Sequence, residues 1–158
     1  MSRSILVVGA GKSTSYLLDY FLEQSVAEDL KIIMGDKNPG GVPEALHTHP
    51  NTEVILLDIT DAESRKDRVR QSDIVVSMLP ASMHLEIAKD CLEFSKNLVT
   101  ASYVSEGMRQ LDPEVREKGL IFMNEIGLDP GIDHMSAMEV IDRIKASGGK
   151  MLLFESFT

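Results

Sequence analysis

The stretch Ser4–Leu22, SILVVGAGKSTSYLLDYFL, decides the fold of this chain. It opens with the apolar run Ile5–Val8, which is typical of a short strand buried on both faces. Two glycines, Gly9 and Gly11, end that run. The helical segment that follows carries its apolar residues on one stripe: Leu17, Leu18, Phe21 and Leu22. A strand, a glycine turn and a helix begin a dinucleotide-binding unit, because the glycines admit a pyrophosphate and the helix N-terminus offers it unpaired N–H groups.

The glycine pattern itself departs from the usual dinucleotide fingerprint. Thr14 stands where the third small residue is expected, and a threonine there can cap the helix or contact phosphate. Gly11-Lys12-Ser13 looks like the end of a P-loop, but that motif requires a glycine where Leu6 stands. The sequence therefore excludes a P-loop, and it leaves a tight strand-to-helix turn without a ligand as the alternative.

Composition restricts the class of protein. The chain has 158 residues, 43% of them hydrophobic, which is enough for one domain with a real core. A net charge of −9 argues against nucleic acid or an anionic membrane as a partner. The single cysteine, Cys91, excludes a disulfide framework and is expected to be a buried, inert thiol. With no membrane-length apolar run and no signal peptide, we expect a cytoplasmic protein.

Strands and helices alternate along the chain, which predicts a parallel sheet with helices on both faces. After the first strand, we expect strands at residues 31–34, 52–57, 73–77, 97–100 and 120–123. Each strand is followed by a small or polar residue: Gly9, Asp36, Asp58, Ser77, Ser102 and Asn124. Because parallel strands end at one edge of the sheet, where open α/β folds bind ligands, these residues are expected to meet at a ligand site.

The end of the second strand bears on the choice of cofactor. Asp36 lies 25 residues after Gly11, where a carboxylate can accept hydrogen bonds from an adenosine ribose. That position favours NAD over NADP, since a 2′-phosphate would meet a negative charge. The adjacent Lys37 weakens this inference, and an ordinary turn aspartate is the alternative.

Three helices are expected in the middle of the chain. Residues 62–71 predict a surface helix whose charges form its solvated face. Residues 83–94 predict a helix with its apolar side turned inward, and residues 105–118 predict one that is broken near Pro113. His84, in the first turn of the second of these, is either a catalytic base or a structural residue.

The segment Glu125–His134, EIGLDPGIDH, is too rich in turn formers for a helix or strand and apolar enough to be packed. Asp133 is expected to cap the helix that follows, with four apolar side chains facing inward: Met135, Met138, Ile141 and Ile144. Gly148-Gly149 ends that helix, and residues 150–157 are expected to form a final strand. His47 and His49 form a possible metal pair, but without a further ligand cluster they are expected to be solvated, and no metal is expected.

Five segments resemble the glutamate-forming saccharopine dehydrogenases, also called saccharopine reductases. They are VVGAGKST (Val7–Thr14), SDIVVSMLP (Ser72–Pro80), LVTASYVS (Leu98–Ser105), MNEIGLDPGIDHMSAMEVID (Met123–Asp142) and GGKMLLFESF (Gly148–Phe157). They span nearly the whole chain in the family's order, and GLDPGIDH after Asn-Glu is the most specific of them.

The resemblance implies an α/β domain with a doubly wound, mostly parallel sheet, the Rossmann fold, over residues 1–147. Residues 148–158 would begin a substrate and dimerisation domain whose remainder is missing, so the final strand would belong to that domain. The implied reaction transfers a hydride between NAD(P) and the C–N bond of saccharopine, an amino-acid substrate that yields glutamate and 2-aminoadipate 6-semialdehyde in lysine metabolism. A homodimer is implied for the full-length enzyme, and this fragment alone is expected to be inactive.

The resemblance also implies which residues contact the cofactor: Gly9, Gly11, Lys12, Ser13, Thr14, Asp36, Lys37, Asp58, Ile59, Leu79, Leu128, Asp129 and Pro130. It implies substrate contacts by Ser102, Tyr103 and Asp129. It assigns no catalytic acid or base, for which His84, His134 and Tyr103 are the candidates.

Two departures from the family pattern matter. NADP-using members carry a basic residue where Asp36 stands, so NAD is the expected cofactor while NADP stays open. Ala81 stands where the family often has an aromatic residue, which puts one substrate contact in doubt. A related imine reductase, such as a carboxynorspermidine-type dehydrogenase, and a nucleotide-binding module without catalysis are the alternative functions.

Overall fold

The apolar run at the start of the chain forms a buried central strand, as its composition predicts. The computed structural model describes residues 3–11 and 14–157. Its strands are β1 (Arg3–Val8), β2 (Leu30–Asp36), β3 (Thr52–Leu56), β4 (Ile74–Ser77), β5 (Asn97–Thr100) and β6 (Phe122–Met123). Its α-helices are α1 (Ser15–Ala27), α2 (Glu44–Thr48), α3 (Ala62–Gln71), α4 (His84–Glu93), α5 (Glu106–Glu117) and α6 (Ile132–Ala146).

The described strands form one sheet in the order β3-β2-β1-β4-β5-β6, and every pair is parallel. This is the doubly wound arrangement expected from the sequence. The chain order reverses between β1 and β4, and ligands bind in such folds in the crevice beyond the strand ends at that point. The topology therefore places the predicted strand-end residues along one edge.

The core has two halves, one on each face of the sheet. Leu6 and Val8 pack with residues of α3, α4 and α5, whereas Ile5 and Val7 pack with residues of α1 and α2. Successive strand residues point to opposite faces, so helices on both sides are needed to cover an uninterrupted apolar strand. The same packing buries Cys91, as the sequence predicts, and raises the pKa of its thiol to about 12.

Two features of the middle helices differ from expectation. Helix α5 runs through Pro113 without a break. Pro113 is exposed, where water can bond the carbonyl group that loses its helical partner, so the ring is tolerated. On α3 the charges are not all solvated, because Arg65 is only 6% exposed.

The C-terminal segment also differs. Helix α6 begins at Ile132, so Asp133 lies inside its first turn, and its N-cap residue is Gly131. No residue of α6 is buried, and the expected inward residues Met135 and Met138 are 56% and 49% exposed. The other two expected inward residues, Ile141 and Ile144, are half-buried. Apolar spacing reveals a stripe on a helix but does not show what covers it, and the described residues cover this one only in part.

Residues 150–157 form no strand, contrary to the prediction. A strand is stabilised by hydrogen bonds to a neighbouring strand, and this segment pairs with none of the described residues. Its apolar side chains are accordingly exposed, with Leu152 and Phe157 each at 88%. None of the described helices combines the length and the apolar character needed to cross a bilayer.

Candidate functional site

A cavity of about 410 Å³ opens at the carboxyl edge of the sheet, where the ends of β1, β2 and β4 meet. It is lined by Val8, Gly9, Gly11, Gly35, Asp36, Lys37, Leu57, Asp58, Ile59, Thr60, Met78, Leu79, Pro80 and Met83. Seven of the residues expected to contact a cofactor are among them: Gly9, Gly11, Asp36, Lys37, Asp58, Ile59 and Leu79. The structure thus brings together residues that lie up to 70 positions apart in the chain.

The turn after β1 requires its first glycine. Gly9 has φ +98°, and a Cβ atom there would stand 3.1 Å from the Met78 carbonyl oxygen. Its N–H donates to the Gly35 carbonyl at 2.9 Å, which ties the turn to the end of β2. Gly11 is exposed, and a Cβ atom there would meet nothing within 4 Å. Of these two glycines, only Gly9 is therefore required by the geometry of the turn.

Thr14 supports the turn from inside the protein. It is 1% exposed, its hydroxyl donates to the Gly9 carbonyl at 3.3 Å, and its N–H donates to the Gly11 carbonyl at 2.9 Å. These bonds close the segment that leads into α1. Lys12 and Ser13, both predicted to surround a pyrophosphate, lie outside the described residues.

Asp36 holds the glycine turn against β2. One carboxylate oxygen accepts the Ala10 N–H and the other accepts the Asn38 N–H, both at 2.7 Å. The carboxylate is half-buried beside the cavity, so it lies where an adenosine ribose was expected. The spacing of Asp36 from the glycines could be read from the sequence, but its two backbone bonds could not, because they depend on the turn being folded.

Lys37 and Asp58 are both exposed and both line the cavity. Asp58 accepts hydrogen bonds from the backbone N–H and the hydroxyl of Thr60, at 2.9 and 2.7 Å. These bonds, together with the nearby charge of Lys37, lower the pKa of the exposed Asp58 carboxyl. Among the described residues that line the cavity, Lys37 is the one cation, and it follows the half-buried Asp36 in the chain.

An ion pair that the sequence did not reveal supports the cavity wall. Arg65 donates through Nε to Asp90 at 2.5 Å and through Nη1 to the Ile59 carbonyl at 2.5 Å. Arg65 and Asp90 are 6% and 2% exposed. Ile59 lines the cavity, so a buried pair between α3 and α4 fixes the backbone where an adenine was expected.

A second group of predicted residues lies beyond the end of β5. The Tyr103 hydroxyl donates to Asp129 Oδ1 at 2.7 Å, and this bond raises the pKa of Tyr103. The loop that carries Asp129 is attached to the β5 end, since the Glu125 N–H donates to the Ser102 carbonyl and the Ile126 N–H donates to the Thr100 carbonyl. The three expected substrate contacts, Ser102, Tyr103 and Asp129, are thus neighbours.

The same loop closes on itself through two glycines. The Gly127 N–H donates to the Pro130 carbonyl, and the Ile132 N–H donates back to the Gly127 carbonyl, both at 2.9 Å. A Cβ atom on Gly131, which has φ +149°, would stand 2.2 Å from the Gly127 carbonyl oxygen, so glycine is required there. The peptide bond before Pro130 is cis, and Leu128 is 75% exposed at the tip of the loop. The side chains of Leu128 and Pro130 do not line the cavity at β1.

His84 is buried, and both of its ring nitrogens are bonded. Nδ1 lies 2.8 Å from Ser77 Oγ, and Nε2 lies 2.8 Å from Ser102 Oγ. Burial lowers the pKa of this histidine. The sequence showed no partner for His84, because both partners come from strand ends that only the fold brings to it.

Asp129, Asp133 and His134 bring possible metal-ligating atoms within 4.8 Å of one another. These groups already have partners: Asp129 accepts from Tyr103, and Asp133 Oδ1 contacts both the Gly131 N–H and His134 Nδ1. His134 is exposed and its pKa is raised by Asp133. Contacts within the protein therefore explain why these three side chains lie close together.

Another cavity, of about 580 Å³, lies between α5 and β6. Its lining includes Asn124, which was expected at the ligand site with the other strand-end residues, but none of the residues that the resemblance assigns to cofactor or substrate. It also lies at the edge of the sheet rather than at the point where the strand order reverses. The cavity at β1 is therefore the candidate cofactor site.

Comparison with known proteins gives a family match. Residues 5–123 match the family model for the saccharopine dehydrogenase NADP binding domain. The chain is 31% identical to saccharopine dehydrogenase [NADP(+), L-glutamate-forming] of Saccharomyces cerevisiae, over 99% of this chain and 34% of the yeast protein. It is 34% identical to alpha-aminoadipic semialdehyde synthase of Arabidopsis thaliana, over 97% of this chain and 16% of the plant protein.

Solved structures agree with this match. Apo saccharopine dehydrogenase (L-Glu forming) from Saccharomyces cerevisiae superposes with a TM-score of 0.79 at 29% identity, over 95% of this chain and 33% of the yeast chain. A short-chain dehydrogenase/reductase from Veillonella parvula in complex with NADP has a TM-score of 0.58 at 17% identity, over 78% of this chain and 68% of that one. The second likeness shows the fold alone.

Proposed function

We propose that this chain, which belongs to the saccharopine dehydrogenase family, is the cofactor-binding domain of an NADP(H)-linked oxidoreductase that acts on saccharopine. The observation that carries the proposal is the cavity at the reversal of strand order, which seven predicted cofactor residues line. A nicotinamide dinucleotide bound there would accept a hydride from the carbon of the C–N bond in its oxidised form and return it in its reduced form. The contribution of this chain is to bind and orient that group.

The glycine turn is the part of the cavity suited to the pyrophosphate. Gly9 lets the backbone turn toward the cavity, and α1 begins directly after the turn. Backbone N–H groups and the positive end of a helix dipole attract an anion without requiring a basic side chain. This explains how a chain with net charge −9 can bind a polyphosphate.

The family model and the fungal relatives are named for NADP, and those names give no support to the expectation that NAD is the main cofactor. Lys37 is the one cation among the described residues that line the cavity, and it can attract a 2′-phosphate. Both oxygens of Asp36 already accept backbone N–H bonds, which stabilise and disperse its negative charge. We therefore assign the 2′-phosphate to Lys37 and a structural role to the Asp36 carboxylate.

The substrate side is assigned to the group beyond β5. Ser102 and Tyr103 carry hydroxyl groups, and the loop with Leu128, Asp129 and Pro130 stands beside them. These groups can hold the polar ends of an amino acid while the hydride is exchanged. Lys12 and Ser13 are assigned to the pyrophosphate end of the cofactor, and Thr14, which is buried and bonded to the Gly9 and Gly11 carbonyls, is assigned to supporting the turn from within.

The chain spans about a third of the length of the fungal relatives that it matches. We accordingly propose that residues 1–147 bind the cofactor and that residues 148–158 lead into a substrate domain, which in a dimer would cover the exposed C-terminal segment. For the protein as a whole we expect the cytoplasm, although relatives from cattle and mouse are named mitochondrial.

The function is tested by assaying the complete gene product with saccharopine and NADP⁺ or NAD⁺, following reduced cofactor by absorbance. We expect saccharopine-dependent reduction of NADP⁺ that is faster than that of NAD⁺. Turnover of carboxynorspermidine but not saccharopine would instead identify the related imine reductase. Saturable NADPH binding without turnover of either substrate would leave a nucleotide-binding module, and absence of binding by folded protein would refute the proposal entirely.

A further inference from the structure

Ser77, His84 and Ser102 form a chain of hydrogen bonds that joins the ends of two neighbouring strands. Ser77 is the last residue of β4, His84 is the first of α4, and Ser102 follows β5 by two positions. Both links measure 2.8 Å, and Ser77 and His84 are 0% and 3% exposed. The inner end of this chain is sealed in the core, while its outer end, Ser102, is half-buried beside Tyr103.

The sealed end determines the direction of the hydrogen bonds. Among the hydrogen bonds of the described residues, the one made by the Ser77 hydroxyl is to His84 Nδ1. If Nδ1 carried the proton, the Ser77 hydroxyl would accept it, and its own hydrogen would be buried without an acceptor. A buried donor without a partner costs about 1–3 kcal/mol. The arrangement that avoids this cost has Ser77 donating to an unprotonated Nδ1, which leaves the proton of a neutral imidazole on Nε2.

This tautomer determines how the Ser102 hydroxyl can bond. A protonated Nε2 donates to Ser102 Oγ, so the Ser102 hydrogen is not used within the chain and points to a partner elsewhere. The desolvation that lowers the pKa of His84 favours the neutral ring on which this argument depends. Ser102 does not line the cofactor cavity at β1, and its neighbour Tyr103 reaches toward Asp129 instead.

We propose that His84 is a positioning residue that fixes the Ser102 hydroxyl as a hydrogen-bond donor to a carboxylate oxygen of the amino-acid substrate. The inference rests on the proposed function, which supplies an amino acid at this edge of the sheet. A carboxylate is the acceptor that gains most from such a donor, because hydrogen bonds to charged groups are about twice as strong as neutral ones. Ser102 touches substrate in this arrangement, and His84 acts only through it.

The kinetic test compares Ser102→Ala, His84→Asn, His84→Gln and the double variant His84→Asn/Ser102→Ala in the complete gene product. A glutamine amide nitrogen reaches about as far from the backbone as Nε2 and can still donate to Ser102, whereas an asparagine amide reaches only the position of Nδ1. We expect Ser102→Ala to raise the KM for the amino-acid substrate about tenfold or more. His84→Asn should raise it several-fold and His84→Gln less than about twofold, with the Kd of NADPH unchanged in all variants.

Coupling between the two residues separates positioning from a structural role. If His84 acts through Ser102, the double variant has the same substrate KM as Ser102→Ala alone. Additive losses, equal losses in the asparagine and glutamine variants, or a matching loss of NADPH affinity would each overturn the proposal.

Nitrogen-15 NMR of the His84 ring in the wild-type protein gives a readout that requires neither folding of a variant nor turnover. We expect the Nε2-protonated neutral tautomer at about pH 7.5. Finding the Nδ1-protonated tautomer or an imidazolium overturns the proposal, even if the variants fail to fold. If saccharopine is not a substrate, the proposed function has failed, and the tautomer still decides whether His84 orients Ser102 as a donor.

Discussion

Arg65 on α3 donates through Nε to the carboxylate of Asp90 on α4, and both side chains are buried. A second bond from the same guanidinium, to the Ile59 carbonyl, connects this pair to the wall of the cofactor cavity. The pair therefore joins two helices and the segment at Ile59, which lines the cavity. Its loss should affect the stability of the domain and the shape of the cavity together.

We predict that Asp90→Ala lowers the free energy of unfolding by about 3–5 kcal/mol, because it leaves the Arg65 charge buried without its partner. Glu93→Ala is the matched control, since Glu93 makes an ion pair with Lys66 between the same two helices but at the surface, with the side chains 50% and 39% exposed. That change should cost less than about 1 kcal/mol. Denaturant unfolding measures both, and equal costs would show that the buried pair does not hold the helices together.

Lys37 should determine the preference for a 2′-phosphate. We predict that Lys37→Ala weakens NADPH binding about fivefold, equivalent to about 1 kcal/mol, and changes NADH binding by less than twofold. Lys31→Ala is the control, because it removes the same charge from β2 at a residue that pairs with Glu53 and does not line the cavity. Fluorescence titrations at one ionic strength compare the affinities of wild type and both variants for NADPH and NADH, six values in all. Parallel losses of NADPH and NADH would contradict the assignment.

The contrast between Asp36 and Lys37 shows what the sequence could and could not predict. The position of Asp36 at the end of β2 follows from strand spacing and was predicted correctly. The sequence could not show what its carboxylate bonds to, because the two backbone N–H groups that bind it belong to the folded glycine turn and to Asn38. The carboxylate that the sequence predicts to contact the ribose also supports the turn in the structure, through these two bonds.

Helix α6 shows a second limit of prediction from sequence, which concerns burial. The apolar spacing of α6 predicted a helix correctly but predicted its burial incorrectly, since Met135 and Met138 are exposed. Periodicity reports which face of a helix is apolar, whereas burial depends on what packs against that face. For the same reason the sequence could not show that Arg65 is buried. Its neighbours on α3 are also charged, and its partner Asp90 belongs to α4, which only the fold brings next to it.

His84 should make the protein less stable in acid. Its pKa is lowered from 6.5 by burial, so between the folded pKa and 6.5 the unfolded chain binds a proton that the folded chain does not. Stability from this residue is therefore present above about pH 6.5 and lost as the pH falls. Its hydrogen-bond partners, Ser77 and Ser102, are neutral hydroxyls that offer no charge to offset the effect.

The change that tests this is His84→Gln, which cannot titrate. We expect wild type to lose more stability than the variant between about pH 7.5 and about pH 5.5, measured by denaturant unfolding. His134, whose pKa is raised by Asp133, contributes stability of the opposite sign, but it is present in both proteins and cancels in the comparison. Identical pH profiles would show that His84 is not desolvated in the folded state.

Our proposal places the cofactor pyrophosphate at the glycine turn, and a pair of glycine substitutions tests this. Gly9→Ala places a methyl group 3.1 Å from the Met78 carbonyl oxygen at φ +98°, whereas Gly119→Ala, at φ +65°, meets open space far from the cavity. Both should lose about 1–2 kcal/mol of stability from the positive φ. Only Gly9→Ala should also weaken NADPH binding, by about tenfold or more.

The most direct test is an NMR titration of the wild-type chain with NADPH, following its backbone amide signals. Our account predicts saturable shifts that are largest at Gly9, Ala10 and Gly11 and that extend to Lys37 and Asp58. Shifts centred on the cavity between α5 and β6, or an unchanged spectrum from folded protein at saturating NADPH, would contradict it.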